Sequence, residues 1–191
     1  MPRLHGVRER QHQPVWDTLV RSTGSPLNPI QASTSLFGNA NVGQLSLTNL
    51  QVAGQLASDQ TYVTLALRCW LYFDGTNARA FYQQVASQLY FTFQLGDKPQ
   101  FVAPCWYHPA GGGISGFDST TAVFNHGWPS QDAILKLARP IIIPVRQNIQ
   151  VQAQFFPVGT TDVRDLLNNA ATDDQMVILY MIDGKYAELL N

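Results

Sequence analysis

Four histidines and two cysteines hold most of the reactive chemistry available to this sequence. Of the histidines at 5, 12, 108 and 126, only His108 and His126 could meet, with Asp118 as a carboxylate companion. A metal site on a β-barrel takes closely spaced histidines and a carboxylate on neighbouring strands. This chain lacks that spacing, so no metal ligand is expected. Cys69 and Cys105 have no metal-type spacing either and read as free, buried thiols. Gly111-Gly112-Gly113 has no following lysine and no strand-to-helix setting, so it reads as loop flexibility and not as a phosphate cradle. No dinucleotide fingerprint, His-Glu-x-x-His or Gly-x-Ser-x-Gly occurs. The expectation is a chain with no catalytic residue and no cofactor, acting by contact and not by reaction.

Two features supply contact chemistry. Asn148-Ile149-Gln150-Val151-Gln152-Ala153-Gln154-Phe155 alternates apolar residues with neutral amides. Period two puts Gln150, Gln152 and Gln154 on one face of a half-buried strand. Neutral amides cost less to bury than charges, so such a face suits a seam between subunits, and equally serves as a solvent-side polar face. The other feature is an aromatic loop. Trp106, Tyr107, Phe117, Phe124 and Trp128 lie among Asp118, Asn125, His126 and Gln131. That mixture either stacks on sugar rings while bonding their hydroxyls, or caps the end of the body and packs on a neighbouring subunit.

The elements that would position these residues are mostly strands. Residues 1–44 read as an extended arm, because prolines at 2, 14, 26 and 29 and clusters of Ser, Asn and Gly interrupt each apolar run. Alternation at Leu45 and Leu47 slips to Leu50 and Val52, which predicts a bulge near Asn49. Thr61–Phe73 is the strongest strand, with Val63, Leu65, Leu67, Cys69, Leu71 and Phe73 on one face and Tyr62, Thr64, Ala66, Arg68, Trp70 and Tyr72 on the other. That second face is too apolar to be wet and needs a cover: the helix near Phe81, the arm, or another subunit. A short helix is expected over 78–86 and a strand over 89–95 closed by Gly96-Asp97. Residues 104–130 read as a long irregular segment with a short strand near 120–124. Strands follow at 134–137, at 141–144 and along the glutamine row, then a short helix over 161–168 capped by Thr161 or Asp162. Met176–Ile182, apolar on both faces, reads as a central strand between two layers that ends at Asp183-Gly184. About eight short antiparallel strands predict an all-β, two-sheet sandwich of jelly-roll type over 45–191.

Composition agrees with a contact role. Of the 191 residues only 13% are charged, while glutamine occurs 18 times, against about 25% charged in an average domain. The net charge of −1 hides a gradient. Residues 1–21 hold Arg3, Arg8, Arg10 and Arg21 against Glu9 and Asp17; residues 160–191 hold six acids against Arg164 and Lys185. Four arginines are too few to argue nucleic-acid binding. No run approaches the length of a membrane span and the first residues lack the apolar segment of a secretory signal, so neither membrane insertion nor export is expected.

An extended arm, a β-sandwich body, few charges, amide-rich faces and the segment Ala138-Arg139-Pro140-Ile141-Ile142-Ile143-Pro144-Val145-Arg146-Gln147-Asn148 before the alternating strand together make a chain that resembles the structural proteins of bacteriophage and related virus particles. The resemblance is one of style over most of the chain. It implies a capsid component of the virion, assembled in the host cytoplasm. At this length it implies a cement or decoration protein, with a small single-jelly-roll coat protein as the other option. The implied partners are further copies of the chain, as a trimer, and a major capsid protein. Arg3, Arg8 and Arg10 would pin the arm to acidic groups on a neighbour, and Gln150, Gln152 and Gln154 would lie along a seam. A lectin-like module reading a glycan or receptor through Trp106, Tyr107 and Trp128 is the alternative.

Overall fold

A computed structural model describes residues 8–22, 32–38, 44, 46–56, 61–73, 78–110, 115–117, 122–125, 133–158, 162–164 and 175–189. Eleven strands are present among them: β1 (Arg8–His12), β2 (Val15–Ser22), β3 (Ser33–Leu36), β4 (Thr61–Phe73), β5 (Leu89–Leu95), β6 (Lys98–Pro104), β7 (Ser115–Phe117), β8 (Ala122–Asn125), β9 (Leu135–Ile143), β10 (Ile149–Phe155) and β11 (Gln175–Leu189). One helix, α1 (Ala78–Gln88), and a 3₁₀ turn, Cys105–Tyr107, accompany them.

The chain is an all-β, two-sheet sandwich. In the first sheet β11 lies between β4 and the β1–β2 edge, and β9 lies outside β4; in the second the order is β3-β10-β5-β6. β7 and β8 form a separate hairpin between β6 and β9. All pairings are antiparallel. One register runs from Arg8 opposite Leu189, through Val15 opposite Ile182, to Ser22 opposite Gln175. β1 and β2 are therefore one edge strand interrupted at Gln13-Pro14, where proline has no N–H to give the ladder. Taking them as one and setting the hairpin aside leaves eight strands in a nested order. The first pairs with the last, the second with the seventh, the third with the sixth and the fourth with the fifth. The pairs β11·β4 and β10·β5 then join these into two sheets.

The inner faces meet in a single core. Met176, Ile178, Tyr180 and Ile182 of β11 and Leu67, Cys69, Leu71 and Phe73 of β4 face Leu89, Phe91 and Phe93 of β5 and Ile149, Val151, Ala153 and Phe155 of β10. The rings of Phe91 and Tyr180 approach to 4.7 Å across the gap between the sheets. Side chains of this size each contribute about 1.5–3 kcal/mol when withdrawn from water, which is why the alternating segments become the inner strands. Gly96, at φ +56°, takes the first central position of the two-residue turn joining β5 to β6, a conformation that costs glycine little. α1 seals one end of the core through Val85 and Tyr82, whose hydroxyl accepts the Phe73 N–H at 2.9 Å.

Several sequence expectations are met: β4 and β5 have the bounds read from alternation, β10 starts one residue later than read, and α1 extends the expected helix by two residues. Others are corrected. Residues 8–22 and 33–36, read as part of an arm, are strands of the two sheets, and Val15 and Leu19 belong to the core. The stretch 46–56 contains no strand ladder. Asn49 sits beside β2 instead, its Oδ1 accepting the Trp16 N–H at 2.9 Å and its Nδ2 donating to the Pro14 carbonyl at 2.7 Å. Two short strands expected at 134–137 and 141–144 are a single strand, β9, with its irregularity around Pro140. β6, unread in the sequence, pairs with β5. Asp183-Gly184 is no turn: β11 runs through it with a bulge in its pairing to β4. A Cβ on Gly184 would stand 2.2 Å from the Val63 carbonyl oxygen and 2.7 Å from the Tyr62 ring, so only glycine fits. The helix expected over 161–168 lies mostly outside the described residues; Asp162 Oδ1 accepts the Arg164 N–H at 2.9 Å, as the capping role requires.

Candidate functional site

The outer face of the first sheet follows from its register. Val15, Asp17 and Leu19 of β2 pair with Ile182, Tyr180 and Ile178, all buried, so the alternate residues point away from the core. Trp16 lies opposite Met181, which lies opposite Arg68. Thr18, itself buried, forms the next row with Leu179 and Trp70, and Val20, Val177 and Tyr72 form the third. Seven of these nine side chains are apolar or aromatic, and one is charged. Trp70 and Tyr72 stack with ring centroids 5.8 Å apart and planes 7° from parallel. Val20 stays 41% exposed and Tyr72 37% exposed. At one end the patch is bounded by Asp183, which pairs with Arg68 and lies 2.7 Å from His12 Nε2. The bulge between Thr64 and Ala66 shifts the phase of β4, so Tyr62, expected on this outer face, is fully buried and Leu65, expected inside, is exposed.

The outer face of the second sheet is amidic. Gln150 lies opposite Gln94, Gln152 opposite Thr92 and Ser35, and Gln154 opposite Tyr90 and Ser33. Gln150 Nε2 donates to Ser35 Oγ at 2.8 Å, and Thr92 Oγ1 donates to Gln154 Oε1 at 3.5 Å. The three glutamines are thus in the middle of the sheet and only partly exposed, with Gln150 bonded to β3 and Gln154 to β5. An open cleft of about 270 Å³ borders this face, lined by Ser35, Asp97, Asn148 and Gln150 with Gly54 and Gly96.

The aromatic loop divides. Trp106 is 63% exposed and meets Tyr107 edge-on at 5.6 Å, while Tyr107 stacks over Phe101 at 6.4 Å. His108, next along, turns into the core: its Nδ1 lies 3.0 Å from the Pro104 carbonyl and its ring contacts Phe91, Phe101 and Tyr180. Burial lowers its pKa from 6.5 to about 4, so the ring is neutral at pH 7. Burial likewise raises the Tyr180 hydroxyl.

Of the residues expected to bind partners, Gln150, Gln152, Gln154, Trp106 and Tyr107 are placed as above. Arg8 and Arg10 have their backbones on β1, opposite Leu189 and Ala187. Their side chains, and Arg3, Trp128, Asp118, His126 and Gln131 entirely, lie outside the described residues, as do the side chains of Phe81, Phe117 and Phe124. Among the described residues no group of three His, Cys, Asp or Glu side chains could hold a metal ion, and no helix is long and apolar enough to cross a membrane. Residues that sequence reasoning missed are Trp16 and Val20 on β2; their alternation with Val15, Asp17 and Leu19 was the available signal, masked by the prolines around it. Comparison with protein-family models, with curated proteins and with solved structures gives no match.

Proposed function

We propose that this chain is a non-enzymatic structural protein of a virus particle, a cement or decoration protein that self-associates and binds a capsid shell. The observation that carries the proposal is the outer face of the first sheet, where Trp16, Val20, Val177, Leu179, Met181, Trp70 and Tyr72 form one apolar field. A contiguous field of this kind on a single chain marks a surface that a partner covers. The nested strand order supports a jelly-roll reading, since a long hairpin wound into two sheets leaves its first strand beside its last and its middle strands beside each other; folds of that type recur in capsid and lectin domains. Closed self-association places copies of one face around a symmetry axis, with a trimer as the proposed state. The test is whether the purified chain forms a discrete oligomer that charged substitutions on this face dissolve.

A second reading, a lectin-like module, draws on Trp106, whose indole stands out of the surface beside Tyr107 and offers an apolar plane to a sugar ring. It predicts glycan-dependent quenching of tryptophan fluorescence that disappears in Trp106→Ala.

A further inference from the structure

Cys69 and Cys105 lie on opposite layers of the sandwich. Cys69 is an inward residue of β4 in the first sheet, and Cys105 opens the 3₁₀ turn that continues β6 of the second. Both are buried free thiols, and their sulfurs lie 3.9 Å apart. The backbone holds them in this relation: the Cys69 N–H donates to the His108 carbonyl at 2.8 Å, and the His108 N–H donates to the Cys105 carbonyl at 3.0 Å. A disulfide needs the sulfurs about 2.05 Å apart. The remaining approach falls largely to a three-residue turn beside an edge strand, which can move more readily than β4, packed between two neighbours.

We infer that Cys69 and Cys105 are an oxidation site, where an intrachain disulfide forms between the two sheets once the protein meets an oxidising environment. The bond closes a segment of about 37 residues, joins the two layers, and stabilises the fold chiefly by restricting the unfolded chain. The reaction consumes one molecule of a small disulfide such as oxidised glutathione. A thiolate on Cys105 attacks one sulfur of the oxidant and expels a glutathione thiolate, leaving a mixed disulfide. The Cys69 thiolate then attacks the Cys105 sulfur and expels the second. Two protein thiols lose two protons and two electrons, and the oxidant leaves as two glutathione thiols. Burial and the adjacent Cys105 thiol keep Cys69 protonated in the closed sandwich, so the exchange proceeds through opening of the turn and is slow in the closed state.

The inference is independent of the assembly reading, because the bond forms within one chain. The experiment incubates the reduced full-length protein with oxidised glutathione in mild urea, then removes both. Intact mass, thiol count after denaturation and non-reducing peptide mapping identify the product, and thermal melting measures its effect. The expected product is a chain not covalently linked to another, lighter by two hydrogens, with no free thiol and the Cys69 and Cys105 peptides linked. Its melting temperature rises by roughly 10 °C, as expected for a loop of this length in a chain of this size. Cys69→Ser should lose both the linkage and the rise. Two unoxidised thiols, two bound glutathiones, a disulfide-linked dimer or a linked chain with unchanged melting would each overturn it.

Discussion

His108 illustrates how little a residue's type says about its use. In the sequence it is one of two histidines that could meet, in a pattern without metal-site spacing; in the fold it is 1% exposed and edged by Phe91, Phe101 and Tyr180. Its Nδ1 proton goes to the Pro104 carbonyl, while Nε2 is buried without a hydrogen-bond partner among the described residues. Protonating Nε2 would place an unpaired charge between the sheets, and this is why its pKa falls to about 4. An unfolded histidine takes up its proton near pH 6.5, so between the two values the unfolded chain binds more protons than the folded one. Stability therefore falls as pH drops through that window, by a total on the order of 3 kcal/mol. Urea unfolding at intervals from pH 7 to pH 4 should show this loss, and His108→Phe should remove that part of the slope. An unchanged slope in the variant would assign the loss to other groups. The sequence could not show this environment, because it depends on which strand packs over the loop after β6.

At the scale of elements, alternation was a reliable guide wherever it ran unbroken. β4, β5 and β10 have inner faces whose apolar residues recur every second position, and nothing competes with that pattern. It misled where a strand carries a bulge, because one extra residue reverses every side chain beyond it. Tyr62 and Leu65 exchange faces for that reason. It also failed where proline suggested an arm: Gln13-Pro14 interrupts a strand whose register resumes unchanged at Val15. A chain cut at residue 21 accordingly tests the core, through Val15 and Leu19, and not a removable tail. Gly184 shows the same lesson from the other side. Read as a turn, it is the point where β11 passes close to β4, and Gly184→Ala forces a methyl group against the Val63 carbonyl. The expected cost is about 2 kcal/mol or more, seen as a lower urea midpoint; a midpoint within error of the parent would contradict the close packing of the bulge.

At the scale of the whole molecule, the amino-acid pattern of Met176–Ile182 asked for two layers of cover. The sandwich supplies one. Met176, Ile178, Tyr180 and Ile182 are fully buried, whereas Val177, Leu179 and Met181 face outward and are only partly covered. The two-sheet architecture could be read from strand count and turn spacing, but the joining of β2 to this outer field depends on a long-range pairing that no local signal carries. With Trp16 and Val20 added, a strand face becomes a surface three strands wide, and the glutamine face on the opposite side offers a polar contrast. The account rests on the first of these faces being covered by another copy of the chain. The most direct measurement is light scattering coupled to size-exclusion chromatography, over a concentration series, on the parent protein and on Val20→Glu/Tyr72→Glu. Both substitutions fall on exposed positions, so circular dichroism should match the parent. The account predicts a discrete oligomer for the parent and a monomer for the variant across the series; a parent that is monomeric at every concentration, or a variant that keeps the parent's mass, would contradict it.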